Sequence, residues 1–554
     1  VTGAFASIAL WALLSSFSSR RPMRIGTAVA AAVALVVDAF VYRYYGIFLS
    51  PQVAASARQG WSDVRPIVLA LLPAALLGVV AVACLEYAWL GSRPFPMTTR
   101  VKAACLAIAV AGFAATPASS LSPELRAVAS WRAAAVRPLE VARSRATLPP
   151  LPSSRDEAPN ILFVLTESVR AKNYCDDPKA PCIFSPEVNA LFPERTSLRQ
   201  MRSLASYTAL SVDVLLTGRP LVGREEGGAE LPSLFDYVHE TRIGAARPFV
   251  AYWSAQAESV LHRDVHASVD SMITQETLFG HGFEDEDDAV ELDPDGRLSE
   301  RCVAELPKLP APFFVMLHLL GTHVPYFVDP DRAPFQPIER VVTWGGLPRL
   351  ENAYSDSILA QDRSIARCLS AFVARSGSHP WLILFTSDHG EAFGEHGGIH
   401  HGHSLYDDQI HVPAWVAHGN GALDASQATN LTLHEGAFVT HLDVLPTLLD
   451  ALGVFRGLAM APMRARLPGR SLLAPVARLE PTPATNCTRV FPCPLDTWGM
   501  LGDGHDAVAQ PWDGGWNCVD LLTTQEHQEG RACEELAAAS RAYFPTLPNG
   551  RANR

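Results

Sequence analysis

The stretch whose reading decides the fold is residues 381–416, WLILFTSDHGEAFGEHGGIHHGHSLYDDQIHVPAWV. Its first five residues, Trp381 to Phe385, form an apolar run of strand length, too short for a globular helix. Directly behind it stands Ser387-Asp388-His389-Gly390-Glu391. Open α/β sheets carry their chemistry just past the carboxyl ends of strands, so the spacing predicts Asp388 and His389 at a functional edge. Six of the chain's 18 histidines fall in this window: His389, His396, His400, His401, His403 and His411. Carboxylate plus imidazole is the ligand set that suits zinc or manganese. The competing reading is a polar loop with solvated histidines.

Outward from this window, further apolar runs recur at 160–166 (NILFVLT), 249–253 (FVAYW), 313–318 (FFVMLH) and 412–416. The first ends at Glu167, which reads as a carboxylate at the tip of a buried parallel strand. Helical patterns lie between the runs, around 231–241, 351–375 and 443–452. This alternation predicts an α/β domain with a mainly parallel sheet covered on both faces.

The chain of 554 residues is too long for one ordinary domain. Its net charge of −12, with no basic block to offset it, argues against nucleic acid as a partner. Four apolar runs precede the polar part: 4–17, 25–42, 66–90 and 103–118. They read as successive membrane helices, the second near the lower length limit. The first reads as truncated, because the chain begins with Val rather than Met, so the sequence is taken as a fragment. Arg20, Arg21 and Arg24 in one short loop, and Arg93, Arg100 and Lys102 in another, mark the cytoplasmic side. Everything after about residue 119 is then expected outside. Eight of ten cysteines lie in that exported part, which independently suggests disulfides and an oxidising compartment. Cys175/Cys182 and Cys487/Cys493 are the local pairs the spacing suggests. Residues 125–145 read as an amphipathic helix on the membrane surface or a plain linker helix, followed by a Pro-rich tether. The expected domains are 1–118 transmembrane, 119–158 linker, 159–475 catalytic and 476–554 a Cys-containing C-terminal part, in which GDGHDAVAQPWDGGWNCVDLL (502–522) resembles the small antiparallel strands that end many sulfatase-fold domains.

The segment Ser387-Asp388-His389-Gly390-Glu391, then His-Gly, Leu405-Tyr406-Asp407-Asp408 and Val412-Pro413, resembles the metal segment of the alkaline phosphatase superfamily. Sulfatases, phosphoethanolamine transferases and lipoteichoic-acid-synthase-like phosphoglycerol transferases share this pattern. A second motif, Ser206-Tyr-Thr208-Ala-Leu-Ser211-Val212, followed by Leu215-Leu-Thr-Gly218, is similar to the sulfatase nucleophile segment. It departs from that segment in three ways. Thr208 stands at the nucleophile position where a formylglycine precursor would be, Leu210 replaces the proline, and Val212 replaces the arginine. Thr208-Ala-Leu-Ser-Val instead resembles the threonine-centred run of the phosphoethanolamine transferases. A single Glu167 also matches the transferase branches.

The resemblance implies a metal site of Glu167, Thr208, Asp388 and His389, with Thr208 as nucleophile. His323, in His318-Leu-Leu-Gly-Thr-His323-Val-Pro325, is implied to bind substrate phosphate or a second metal. His401 or His403 fills the last histidine position. His318 reads as a core residue or one that orients a ligand, and Trp253-Ser254 as pocket lining or packing. The implied cofactor is a divalent metal, zinc first, with manganese, magnesium or calcium as alternatives. The implied reaction moves a phospholipid headgroup, phosphoethanolamine or phosphoglycerol, through a threonine-linked intermediate to a lipid or glycan acceptor. The implied location is the bacterial inner membrane, multi-pass, with the catalytic domain periplasmic. The alternatives are a sulfatase-like hydrolase of sulfuric or phosphoric esters and an inactive metal-binding scaffold.

Overall fold

The computed structural model describes the chain apart from residues 1, 18–19, 46–47, 51–52, 55–56, 59–60, 93–96, 116–120, 135–146, 223–230, 281–291, 341, 343–344, 457–459, 487–495, 528–529, 549–550 and 554. Two compact units result, one built mainly from residues up to 138 and one from those beyond.

Among the described residues the N-terminal unit shows five helices: α1 (Thr2–Phe17), α2 (Arg21–Tyr45), α3 (Trp61–Ser92), α4 (Thr99–Ala115) and α5 (Pro123–Ala134). The described residues of all four apolar runs are therefore helical. Two of these helices, with spans Arg21–Arg43 and Leu71–Gly91, are long and apolar enough to cross a bilayer. The described parts of helices α1 and α4 are 16 and 17 residues long. The most apolar 18-residue window of Leu71–Gly91 holds no fully buried residue, and Leu77 is 73 % exposed. A helix apolar all round and facing outward needs an apolar solvent rather than water. Arg126 on α5 pairs with Asp38 on α2 at 3.0 Å, both buried, so each charge offsets the cost of burying the other. The helix read from 125–145 covers Pro123–Ala134, and its continuation lies outside the described residues.

The second unit is organised on a seven-stranded sheet. Its strands are β1 (Asn160–Thr166), β2 (Thr196–Ser197), β3 (Phe249–Ser254), β4 (Ser271–Ile273), β5 (Phe313–His318), β6 (Trp381–Ser387) and β7 (Ala414–Gly419). The spatial order is β2-β7-β6-β1-β5-β3-β4. β6, β1, β5, β3 and β4 run parallel, while β7 is antiparallel to both β6 and β2. All seven residues of β1 are buried, as both faces of a central parallel strand must be. Asn160 fixes the start of that strand, donating to Ser376 Oγ at 3.2 Å and accepting from Phe313 N–H at 3.2 Å.

The helices that matter for the site are α6 (Thr208–Thr217), α7 (Leu234–Glu240), α8 (Pro294–Glu305), α9 (Leu347–Ser376) and α10 (Val444–Ala451). Gly218 closes α6 in the left-handed region at φ +61°, where a Cβ would sit 2.9 Å from Leu445 Cδ2. This accounts for the glycine of the Leu-Leu-Thr-Gly ending. Cys302–Cys368 ties α8 to α9, and Cys175–Cys182 closes a loop after β1. The expected Cys487/Cys493 bridge lies outside the described residues.

The chain ends in a five-stranded antiparallel sheet: β8 (Thr482–Thr485), β9 (Trp498–Gly502), β10 (His505–Ala509), β11 (Asn517–Asp520) and β12 (Glu526–His527). Helix α11 (Arg531–Ser540) follows, joined to β11 by Cys518–Cys533. Ala484, Leu501, Val508 and Val519 of this sheet share one hydrophobic cluster with Ala209, Leu210 and Val214 of α6. The C-terminal strands thus support the helix that begins at Thr208.

Candidate metal centre

Strand register builds the centre. Thr166 on β1 pairs with Ser387 on β6, so Glu167 and Asp388 emerge side by side one residue further on. The Asp388 N–H donates to the Thr166 carbonyl at 3.0 Å, and the Ser168 N–H donates to Asp388 Oδ1 at 2.9 Å. Ser168 adopts φ +56°, an uncommon conformation for a residue with a Cβ. Its hydroxyl donates to Glu167 Oε1 at 3.0 Å. Gly390 is required by close packing, because a Cβ there would lie 2.5 Å from the Asp408 carbonyl oxygen. Helix α6 starts at Thr208, which directs the positive end of its dipole at the same point.

Four of the side chains expected from sequence meet here. The Thr208 hydroxyl donates to Glu167 Oε1 at 2.9 Å and lies 3.1 Å from His389 Nε2. His389 Nε2 is 3.4 Å from both Glu167 Oε1 and Asp388 Oδ2. His389 Nδ1 faces the Gly390 carbonyl at 2.9 Å, which assigns the proton to Nδ1 and aims Nε2 inward. Asp388 Oδ2 is buried and has no hydrogen-bond partner among the described residues. Ligands at about 2.0–2.1 Å from a tetrahedral ion stand about 3.3–3.4 Å apart, close to the separations seen here. The residues present therefore fit a divalent cation. Glu167, Asp388 and His389 are wholly buried, while Thr208 is 8 % exposed, so the hydroxyl is the member that faces outward.

The electrostatics agree with a site built for positive charge. Burial raises the Asp388 carboxyl to about 8, and the Glu167 charge adds to this. Burial opposes the charge on His389, but Asp388 and Glu167 outweigh it and raise the imidazole to about 9. For Glu167 burial is likewise outweighed: the hydrogen bond and charge of His389 hold it well below the usual carboxylate range.

A second group shares Glu167. His323 and His401 bring a ring nitrogen each within 4.8 Å of one another and of a Glu167 oxygen. The His401 ring centroid stands 4.3 Å from that of His389 and 5.6 Å from that of His323. Glu391 holds the pair of histidines behind it, with Oε2 3.3 Å from His401 Nδ1 and Oε1 3.2 Å from His400 Nδ1. His403 is not in either ligand group; its Nδ1 accepts from Gln409 Nε2 at 3.0 Å. His318 is buried against the Tyr252 hydroxyl at 3.2 Å, and burial lowers it to about 4, so it is a neutral core residue at neutral pH. Trp253 is buried, its indole N–H donating to Ser271 Oγ at 3.1 Å, and is packing rather than lining.

Two supporting residues had no visible signal in the sequence. Gln256, just past β3, donates from Nε2 to Glu167 Oε2 at 2.8 Å. It leaves Oε1 turned toward Thr208 and His389. Gln256→Ala should weaken zinc binding about 10- to 100-fold with little change in thermal stability, as measured by chelator competition. Arg170 is buried and ion-pairs with Glu351 and Glu395, the latter at 2.8 Å. It also donates to Asn173 Oδ1 at 2.6 Å and to the Glu391 carbonyl at 3.1 Å. It therefore pins the loop after β6 to the loop after β1. Arg170→Met should cost about 2–3 kcal/mol in denaturant unfolding, tempered because both carboxylates reach water, and lysine should not rescue it.

Strand ends carrying buried carboxylates and a histidine, a helix-borne threonine and a mostly parallel sheet define a metal-dependent α/β enzyme of the alkaline phosphatase superfamily. The sulfatase family model matches residues 159–454, more than half of the chain, and the protein belongs to that family. Enzymes of this family use a divalent metal. Among curated proteins the chain is similar to phosphatidylethanolamine transferase Mcr-1 of Escherichia coli, 30 % identical over 150 residues. That match covers 25 % of this chain and 26 % of Mcr-1. Mcr-2 of the same organism is 27 % identical over 151 residues, 26 % of this chain and 27 % of Mcr-2. The chain thus spans about a quarter of the length of these relatives. Among solved structures, the integral membrane lipooligosaccharide phosphoethanolamine transferase A of Neisseria meningitidis superposes with a TM-score of 0.54 at 16 % identity. That superposition covers 77 % of this chain and 83 % of the other, and shows a shared fold.

Proposed function

We propose that the protein is a membrane-anchored phosphotransferase that moves a phospholipid headgroup to a lipid or glycan acceptor through Thr208. The observation that carries this reading is the Thr208 hydroxyl itself. It starts a helix, contacts Glu167 and His389 at 2.9 and 3.1 Å, and is the most accessible of the four side chains. In the first step a bond forms between Thr208 Oγ1 and the headgroup phosphorus as the bond from phosphorus to the diacylglycerol oxygen breaks. The Thr208 hydroxyl proton ends on the departing diacylglycerol oxygen, so diacylglycerol leaves as a neutral alcohol. In the second step an acceptor hydroxyl attacks the phosphothreonine and its proton returns to the threonine oxygen. His323 and His401 stand beside Glu167, available to bind the phosphoryl oxygens.

Glu167, Thr208, Asp388 and His389 would hold the cation, with zinc favoured by the mixed carboxylate and imidazole donors. When bound, it supplies charge that lowers the pKa of a coordinated hydroxyl and offsets the charge of the phosphoryl group. The local similarity to phosphatidylethanolamine transferases supports phosphoethanolamine as the headgroup. The apolar helices and three disulfides among the described residues support an inner-membrane protein with its catalytic part in an oxidising space. Peptide mass spectrometry after incubation with phosphatidylethanolamine and phosphatidylglycerol tests the reading. An adduct on Thr208 is expected, and its mass names the donor. Phosphoester release to water with no adduct would turn the assignment to a hydrolase.

A further inference from the structure

The C-terminal part carries a cleft of 940 Å³, at the upper end of the range for small-molecule pockets. One side is the turn between β10 and β11 with Trp512, Asp513 and Asn517. The other side is formed by Glu534 at the start of α11 and by Arg551 and Asn553. The cleft is neither an apolar groove nor a pocket of one charge. Trp512 is 49 % exposed, a large flat indole presented to solvent at the mouth. Trp516 forms the wall beside it, tilted on Phe544 at 6.0 Å, its N–H donating to Asn553 Oδ1 at 3.1 Å. The disulfide Cys518–Cys533 joins the two sides, so the cleft is held open before any ligand arrives.

An aromatic face beside planar carboxylate, amide and guanidinium groups matches a sugar ring. Such a ring offers apolar C–H groups on its faces and hydroxyls around its edge. The cleft is also connected to the catalytic loop. Glu526 of β12, the strand paired with β11, stands 3.3 Å from His396 Nε2. The Tyr406 ring stacks on His396 at 3.8 Å, in the same loop that carries His401. From this juxtaposition we propose that the cleft is a saccharide-binding subsite that takes the glycan portion of the acceptor. The identity of the ligand as acceptor rests on the transferase reading; the binding does not.

The test uses the full chain in detergent and two probes, triacetylchitotriose and its deacetylated triamine, with binding followed by saturation-transfer NMR and calorimetry. The wild type is expected to bind both trisaccharides saturably. Trp512→Ala should weaken both at least tenfold, and Glu534→Gln should weaken the triamine alone. Thr208→Ala should bind like the wild type, and Trp512→Ala should still form the Thr208 adduct. Absence of saturable binding in the wild type, or unchanged affinity in Trp512→Ala, would overturn the proposal. So would a Trp512→Ala protein that loses phosphatidylglycerol vesicles rather than trisaccharide. A missing Thr208 adduct with Trp512-dependent binding intact would overturn the transferase reading and leave the subsite standing.

Discussion

Thr208→Ala is expected to lose phosphoryl-adduct formation entirely and to lower turnover by about 10⁴-fold or more, the scale seen when a covalent nucleophile is removed. The fold should survive, because alanine suits the first turn of a helix and the lost hydroxyl costs about 1 kcal/mol or less. Metal should remain, since Glu167, Asp388 and His389 supply three ligands of their own. Thr208→Ser should keep the adduct, because it keeps the oxygen. Mass spectrometry of the two variants beside a turnover assay separates the nucleophile from a merely structural helix cap. Turnover within tenfold of wild type in Thr208→Ala would remove the threonine from the chemistry.

The second large effect concerns the metal. Asp388→Asn should reduce zinc affinity at least 100-fold, because it removes a charge from the ligand set where loss of a supporting residue alone costs 10- to 100-fold. Chelation of the wild type should lower its melting temperature. An ion held at 1,000 times its dissociation constant contributes about 4 kcal/mol to the folded state. The pH dependence should also reverse. In the metal-stripped protein His389 is raised from 6.5 to about 9 and Asp388 from 3.8 to about 8. Both groups bind protons more tightly when folded, so their contribution to stability is present at low pH. The two groups titrate together, so their joint contribution is lost as pH rises through the neutral and mildly alkaline range. The loaded protein should behave oppositely over this range, because metal binding displaces those protons. Melting curves of stripped and loaded protein from pH 6 to 9 should therefore diverge, and zinc uptake near pH 7 should release protons to an indicator dye. Parallel curves would show that the cation does not sit among these ligands.

Much of this centre was legible in one dimension because strand ends leave a local mark. A buried run that stops at Glu167, and another that stops just before Asp388 and His389, identify the carboxyl edge of a parallel sheet without reference to any partner. Thr208 stands out through a resemblance: its run and the Leu-Leu-Thr-Gly ending are similar to the family's nucleophile segment. The second apolar run after the histidines was read as a strand from 412. Pairing begins at Ala414, because the Val412 N–H bonds to the Met201 carbonyl outside the sheet. The N-terminal runs read as four membrane spans; among the described residues two helices are long and apolar enough to cross. Hydropathy marks apolar character readily, but span length depends on where each helix begins and ends.

The sequence by itself determined the sheet, its catalytic edge and the residue types gathered there, because periodicity and strand termini are local properties of the chain. It could not choose between His401 and His403, two residues apart on an irregular loop. In the folded chain Glu391 holds His401 beside His389, while His403 is engaged by Gln409. Nor could it show Gln256, 89 positions from the Glu167 carboxylate it orients, or Arg170, whose partners lie 181 and 225 residues away. Such contacts form only after parallel strands distant in sequence have been brought into register, so they belong to the tertiary structure alone.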